Sequence, residues 1–308
     1  MPSLRCAEGA VARRCRGAAA ATAFSPPINR VTTMLENLYQ WRQAVEDRLR
    51  AADSWLCVSG LFWLRAGNNK FGSGAHCEIE LPQHAALEDA GSFVLDGSQV
   101  LLRAAPGAAV LVNGLPATQQ VLASDAEGAP DVVSVNGVRL AVIRRGKRLG
   151  IRMFDQRNLA FVNFTELQWY VPDAAKCIRA SFIPHAEPQP MQITNVIGDV
   201  HTVLSPGFAQ FTAAGGNHRL AAEPAASGMG LFFNFQDGTS RRTTYPRGRF
   251  LEAPAPDDGI VILDFHRAVS PPCAYTHFAT CPLPPSGNKL AIAMEAGQQY
   301  KVAGERSG

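Results

Sequence analysis

No stretch of this 308-residue chain approaches the ~20 consecutive apolar residues that a membrane-spanning helix requires, and no membrane partner is expected. Charge is also scarce. Lys+Arg 29 against Asp+Glu 26 leaves a net +3, too little for the footprint of a nucleic-acid binder, so no nucleic-acid partner is expected. Arg144, Arg145, Lys147 and Arg148 do gather, but around Gly146. That pattern reads as a solvated hairpin tip, with a phosphate-binding patch as the competing reading. Signatures of common chemistries are missing. There is no Gly-x-Ser-x-Gly elbow, no phosphate-binding P-loop and no His-Glu-x-x-His helix, and Gly248 sits in an Arg-Gly-Arg turn rather than a dinucleotide fingerprint. No cofactor is therefore expected. Cysteine is present in an odd number, seven, without the spacing of a disulfide framework. This favours a reducing compartment, the cytoplasm.

What is present is apolar content, at 46%, and it changes character along the chain. Residues 1–33 are rich in Ala and Arg and end in a Ser-Pro-Pro turn. They read as a disordered extension, or as residues ahead of a true start at Met34. The alternatives are an export signal, built on Arg13-Arg14 with Ala21-Thr22-Ala23 as the cleavage-like site, and an Arg-rich transit peptide. From Met34 to Ala52, Leu35, Leu38, Trp41, Val45 and Leu49 recur at three- and four-residue steps. This is one apolar stripe of a helix fit to pack across a sheet.

From Trp55 the pattern turns to strands. WLCVSGLFWL is followed by short apolar runs at 77–81, 92–95, 100–103, 109–112, 138–143 and 149–154. Asn113-Gly114 and Asn136-Gly137 are tight-turn signals, because both residue types accept positive φ at little steric cost. Strands this short and closely spaced predict a β-sandwich over 55–157. Residues 158–176 form a junction in which Trp169 and Tyr170 pack. A second, mainly antiparallel β-domain occupies 177–303, closed into a barrel or left open. Its expected units are a strand CIRASFI, then PHAEPQP as a turn or extended connector. Two hairpins follow: 208–213 with 219–222 around Gly215-Gly216-Asn217, and 231–235 with 242–245 around Asp237-Gly238. The fold class is mainly β behind an N-terminal helix.

Two family resemblances attach to these segments. KFGSGAHCEIELP, GSFVLDGSQVLLRA, AVLVNGLPA and VRLAVIRRG together resemble the forkhead-associated (FHA) sandwich. That family binds phosphothreonine peptides through a Gly-Arg-Ser start, a Ser-x-x-His element and a late Asn-Gly loop. Here Gly72-Ser73 has no arginine between its members, AALEDAGSF lacks the Ser-x-x-His element, and only Asn113-Gly114 matches. The resemblance therefore implies an FHA-like fold and a protein partner, without phosphopeptide binding. The segments DGTSRRTTYPRGRFLEAPAP and DGIVILDFHRAVSPPCAYTHFATCPLPP, with GLFWLRAGNNKFGS, GDVHTVLSPGFAQF and NKLAIAMEAG, resemble the bacterial and archaeal family DUF1684 from about Trp41 to about Val302. That family is catalogued without an activity.

Candidate chemistry gathers on the long proline-rich loop after Phe265, since loops of that length are often functional. Cys273, His277 and Cys281 fall at four-residue steps, with His266 or Asp264 as a further metal ligand. The resemblance, however, puts proline at the position of His277 and asparagine at that of His266, so no metal site is assigned. The two cysteines read first as small buried residues packing under the loop. A disulfide, a redox pair and a nucleophile remain alternatives. Asp264 and Arg267 lie at the mouth of an apolar strand, with Tyr245 and Arg249 just upstream. Carboxylate, guanidinium and phenol together orient a small polar or anionic ligand, or else brace the loop. The candidate ligand-binding set is Tyr245, Arg249, Asp264, Arg267, Cys273 and Cys281, with binding and catalysis both open. A protein-interaction scaffold is the alternative function.

Overall fold

The computed structural model describes residues 27–85 and 87–300. The expectations for residues 1–26 lie outside them. Helix α1 spans Pro27–Leu49 and begins at Pro27 rather than at Met34. Proline suits a first helical turn, where its missing N–H has no partner to lose, and Pro27 opens the helix. Among the described residues, no helix is long and apolar enough to cross a membrane.

The sandwich begins with a single helical turn at Trp55–Cys57, where an unbroken strand is expected. Eleven strands follow: β1 Val58–Trp63, β2 Gly67–Gly72, β3 Ile79–Glu80, β4 Gly91–Asp96, β5 Gln99–Ala104, β6 Val110–Val112, β7 Leu115–Pro116, β8 Gln119–Leu122, β9 Val132–Val135, β10 Val138–Arg145 and β11 Arg148–Phe154. They form one sheet in the order β1-β11-β10-β9-β6-β7 and another in the order β3-β2-β4-β5-β8. Phe71, Phe93, Leu102, Val138, Leu140 and Ile151, all fully buried, fill the space between the sheets. The Asn-Gly signals act as expected. Asn113 and Gly114 take φ of 50° and 84°, and Asn136 and Gly137 take 43° and 89°, joining β6 to β7 and β9 to β10.

After a short helix, α2 (Leu159–Val162), come β12 Cys177–Thr194, β13 Val200–Ala213, β14 Gly216–Ala221, β15 Glu223–Pro224, β16 Leu231–Phe235, β17 Arg249–Ala253 and β18 Ile260–Asp264. Two sheets, β14-β13-β12-β18 and β15-β16-β17, enclose a second core around Phe211, Phe233, Phe235, Leu251, Leu263 and Phe265. No ladder among the described residues closes these sheets into a barrel. PHAEPQP belongs to the 18-residue strand β12, whose pairing with β13 is interrupted only between Pro184 and Gln189. Proline removes a ladder donor, and the interruption falls where two prolines flank the run.

One expected hairpin is absent. β16 pairs with β17, not with residues 242–245. Asp237 does not sit at an exposed turn because its carboxylate is drawn inward, accepting from Thr239 N–H at 2.6 Å and pairing with Arg249. The other glycine turn falls on Ala214-Gly215 (φ 49° and 77°). The charged turn between β10 and β11 is not merely solvated. Arg145 pairs with Asp125 at 2.8 Å, Arg144 with Glu127 at 3.2 Å, and Arg148 with Asp199 at 2.6 Å, the last reaching the tip of the β12–β13 hairpin.

The long loop is the joint of the molecule. Thr276 Oγ1 donates to Val58 O at 3.0 Å and Arg145 Nε donates to Thr280 Oγ1 at 2.9 Å, both contacts with the sandwich. Val196 N–H donates to Cys281 O at 2.9 Å and Leu283 N–H to Thr194 O at 2.7 Å, both contacts with the hairpin. Asn234 Nδ2 donates to Pro282 O at 3.1 Å from β16. α1 lies over the junction, where Leu49, Leu56 and Leu167 form a small cluster and Trp41 meets Trp169 edge-on at 5.8 Å.

Glu223 on β15 tests the second core. It is 8% exposed and its Oε1 has no hydrogen-bond partner among the described residues, and burial pushes its carboxyl up to about 7. A carboxyl raised in the folded state weakens the fold as pH climbs past its ordinary value. Glu223→Gln should therefore gain on the native protein by about 2–3 kcal/mol between pH 5 and pH 8 in urea unfolding. A gap that stays constant over that range would place Glu223 in water.

Candidate functional site

Strand β18 alternates, sending Val261 and Leu263 into the core, so Asp264 faces the other side, directly opposite Cys177 in the ladder. The chain then makes one tight turn, Phe265–Arg267, capped by Asp264, which accepts from His266 N–H at 3.2 Å. That turn brings three polar side chains together. His266 Nδ1 lies 2.7 Å from Asp264 Oδ1, and Arg267 Nε donates to Asp264 Oδ2 at 3.3 Å. Burial acts to raise the Asp264 carboxyl, but the hydrogen bond and charge of His266, the backbone N–H and the Arg267 charge outweigh it. The net result holds it below the usual aspartate range, so Asp264 is a carboxylate at neutral pH.

His266 is 6% exposed, and its Nε2 faces both main-chain groups of Asp173, N at 3.0 Å and O at 2.9 Å. The neutral ring accepts from that N–H and the protonated ring donates to that carbonyl, so each protonation state finds a partner. Arg42 of α1 acts on the same carboxylate, donates through Nη2 to Tyr170 O at 3.1 Å and stacks on Trp169 at 4.9 Å. Arg267 lies over the Trp41 ring at 5.3 Å. Asp264 is thus paired with Arg267 and also feels the charge of Arg42.

This cluster forms one side of a groove of about 370 Å³. Met34, Leu35 and Leu38 of α1, with Pro172 and Ala174, supply the apolar side, while Cys177, Asp264, His266 and Arg267 supply the polar one. The Cys177 thiol is pushed up by burial and by the Asp264 charge, which makes it a neutral lining group rather than a nucleophile.

Of the six residues expected at one pocket, Asp264 and Arg267 line the groove. Tyr245, Cys273 and Cys281 meet under the loop. Tyr245 Oη donates to Cys273 O at 2.7 Å, and Cys273 N–H donates to Cys281 Sγ at 3.2 Å. Arg249 stands apart and is 1% exposed. It binds Asp237, Met294 O at 2.8 Å and Ala296 O, a brace holding the C-terminal segment. The α1 wall was not legible as part of the groove, nor Asp237 as the partner of Arg249. The one sequence hint for Asp237 is its Asx-turn spacing to Thr239. Among the described residues, no group of three or more His, Cys, Asp or Glu is placed to hold a metal, and His277 is exposed. Asn113 of the FHA-like loop is committed internally, donating to Asp131 at 2.6 Å and accepting from Val132 N–H at 2.9 Å.

Residues 162–299 match the family described as Protein of unknown function (DUF1684), a narrower span than the resemblance read from the sequence. Among solved structures, an uncharacterized protein of Haloarcula marismortui is similar at 29% identity, covering 46% of this chain and 80% of that one, with a TM-score of 0.39. The FhaA FHA domain, solved in a complex, is similar at 21% identity over 30% of this chain and 96% of that one, with a TM-score of 0.23. An FHA domain studied for phosphothreonine-dependent interactions is similar at 21% identity over 30% of this chain and 92% of its own, also with a TM-score of 0.23. No curated protein matches the chain.

Asp264 should carry an acid-sensitive part of the stability. Its folded value is lowered, so its contribution is complete above the ordinary aspartate value of ~3.9 and fades as pH falls through the folded one. Asp264→Asn should cost about 1–3 kcal/mol at pH 7, and the deficit should shrink toward pH 3 in urea unfolding. A deficit independent of pH would show that the carboxylate charge contributes nothing.

Proposed function

We propose that the groove beneath α1 binds a small amphipathic anion, such as a carboxylate carried on an apolar body. The observation that carries this reading is an apolar wall facing an arginine whose binding edge is uncommitted. Arg267 uses Nε for Asp264, its Nη groups make no hydrogen bond among the described residues, and its side chain is 38% exposed. A guanidinium edge matches a carboxylate in geometry and charge. Met34, Leu35 and Leu38 then cover the apolar body. Asp264 fixes the arginine, and His266 fixes Asp264 to the junction through Asp173. Because Nε2 of His266 is occupied by main chain, the cluster supports binding rather than proton transfer to a ligand.

Calorimetric titration of the full chain with octanoate and phenylacetate, against the matching alcohols, tests the reading. The carboxylates should bind saturably and the alcohols at least tenfold more weakly. Arg267→Ala should lose about ten- to a hundredfold in affinity, as expected for one hydrogen-bonded charge pair. Leu35→Asp, at a half-exposed wall position, should weaken binding without unfolding the chain. Equal binding of acids and alcohols, or an Arg267→Ala variant that binds like the native protein, sinks the proposal.

A further inference from the structure

The two cysteines under the loop are arranged for more than packing. Cys273 and Cys281 are both unbridged thiols. Cys281 is 5% exposed, and its sulfur accepts the backbone N–H of Cys273 at 3.2 Å. The loop between them therefore doubles back so that one cysteine sits against the main chain of the other. The Cys281 thiol thereby lies close enough to influence the Cys273 sulfur. A second observation comes from the sandwich. Arg152 of β11 is 7% exposed, and its Nε and Nη2 have no hydrogen-bond partner among the described residues. It lies over the Trp55 ring at 4.8 Å. Its charge acts on Cys281, and burial holds the guanidinium down to about 10. The Asp125 carboxylate also acts on Arg152 but is paired with Arg145, so the buried cation is only partly compensated, and a negative charge on the neighbouring dithiol would relieve the remaining cost.

We propose that Cys273 and Cys281 form a redox-active dithiol that a hydroperoxide converts to a disulfide, with Cys273 as the attacking sulfur and Cys281 as the resolving one. The surroundings assign these roles. Cys273 is held down to about 7, first by the adjacent Cys281 thiol and then, against the opposing effect of burial, by the Arg247 charge. Cys281 is pushed up by the adjacent Cys273 side chain, by burial and by the Cys273 charge, with Arg152 opposing. The pair thus loses one proton readily and holds the second. Cys57, Cys77 and Cys177 are all raised, burial first among the causes, and lack this activation.

The chemistry balances. The Cys273 thiolate attacks one peroxide oxygen and the O–O bond breaks. With hydrogen peroxide, the departing hydroxide takes a proton as water and leaves Cys273 as a sulfenic acid. Cys281 then gives up its proton, its sulfur attacks that of Cys273, and the displaced hydroxide leaves with the proton as a second water. Two thiols and one peroxide become one disulfide and two waters, and a dithiol reductant reverses the change.

The test uses the full chain and hydrogen peroxide, with peptide mapping by mass spectrometry. The native protein should lose two hydrogens in a linkage between Cys273 and Cys281, restored by dithiothreitol. Cys281→Ser should trap a sulfenic acid on Cys273 that dimedone labels, whereas Cys273→Ser should show none on Cys281. Independently, the iodoacetamide alkylation rate of Cys273 should titrate near pH 7 rather than near the ordinary thiol value of 9.0. Arg152→Met should move that midpoint upward. The proposal is overturned if peroxide leaves both cysteines alkylatable, if Cys57, Cys77 or Cys177 reacts first, or if Cys273 titrates as an ordinary thiol.

Discussion

The buried guanidinium of Arg249 constrains everything around it. A charge with 1% exposure has no water to solvate it, so the chain must bring it acceptors. Asp237 arrives from the end of β16, and the carbonyls of Met294 and Ala296 arrive from the C-terminal segment. Satisfying one side chain thereby fixes the strand pair β16–β17 and the irregular stretch that covers it. Asn288, fully buried, extends the seam by bonding Ala221 N and O and Asn234 O. Main-chain groups that would otherwise be orphaned in this non-repetitive segment are met by side chains, which is how a stretch with so little regular structure stays buried.

The groove depends on that seam indirectly. Gln298, from the same C-terminal segment, accepts from Ser270 N–H and exchanges hydrogen bonds with Tyr275. Tyr170 N–H donates to Gly297 O. These ties hold the turn bearing Asp264, His266 and Arg267 against the junction, and α1 then closes over it through Trp41, Arg42 and Leu38. The helix is part of the site because its apolar stripe has two jobs. Leu49 joins the small cluster over the junction, whereas Leu35, at 37% exposure, is left beside the groove.

Much of the fold was legible because its signals are local. Strand alternation and the two Asn-Gly turns specify the sandwich without reference to distant residues. Asp264 and Arg267 were legible as functional types because they follow a strand that had to be buried. The rest depends on contacts far apart in sequence. Asp237 looks like a turn residue until Arg249 is placed beside it, and Arg249 looks like a ligand-binding residue until the carbonyls of residues 294 and 296 are seen to consume it. Cys177 reads as the start of a strand, and only the ladder pairing with Asp264 shows that it lines the groove. Arg152 gives no hint at all, since alternation along β11 says which face it occupies but not that a loop more than a hundred residues later will cover that face.

Strand β12 and the loop it borders form a closed circuit. At one end Cys177 pairs with Asp264, and at the other Thr194 receives the N–H of Leu283. The strand behaves as a bow and the segment 264–283 as its string, anchored at both tips. A string with fixed ends cannot pass a change in its own length to those ends while the bow stays stiff. It must move sideways, and on that side Thr276 and Thr280 rest on the sandwich. The loop thus ties the sandwich to the C-terminal sheets, beside the Arg148–Asp199 pair and the cluster under α1.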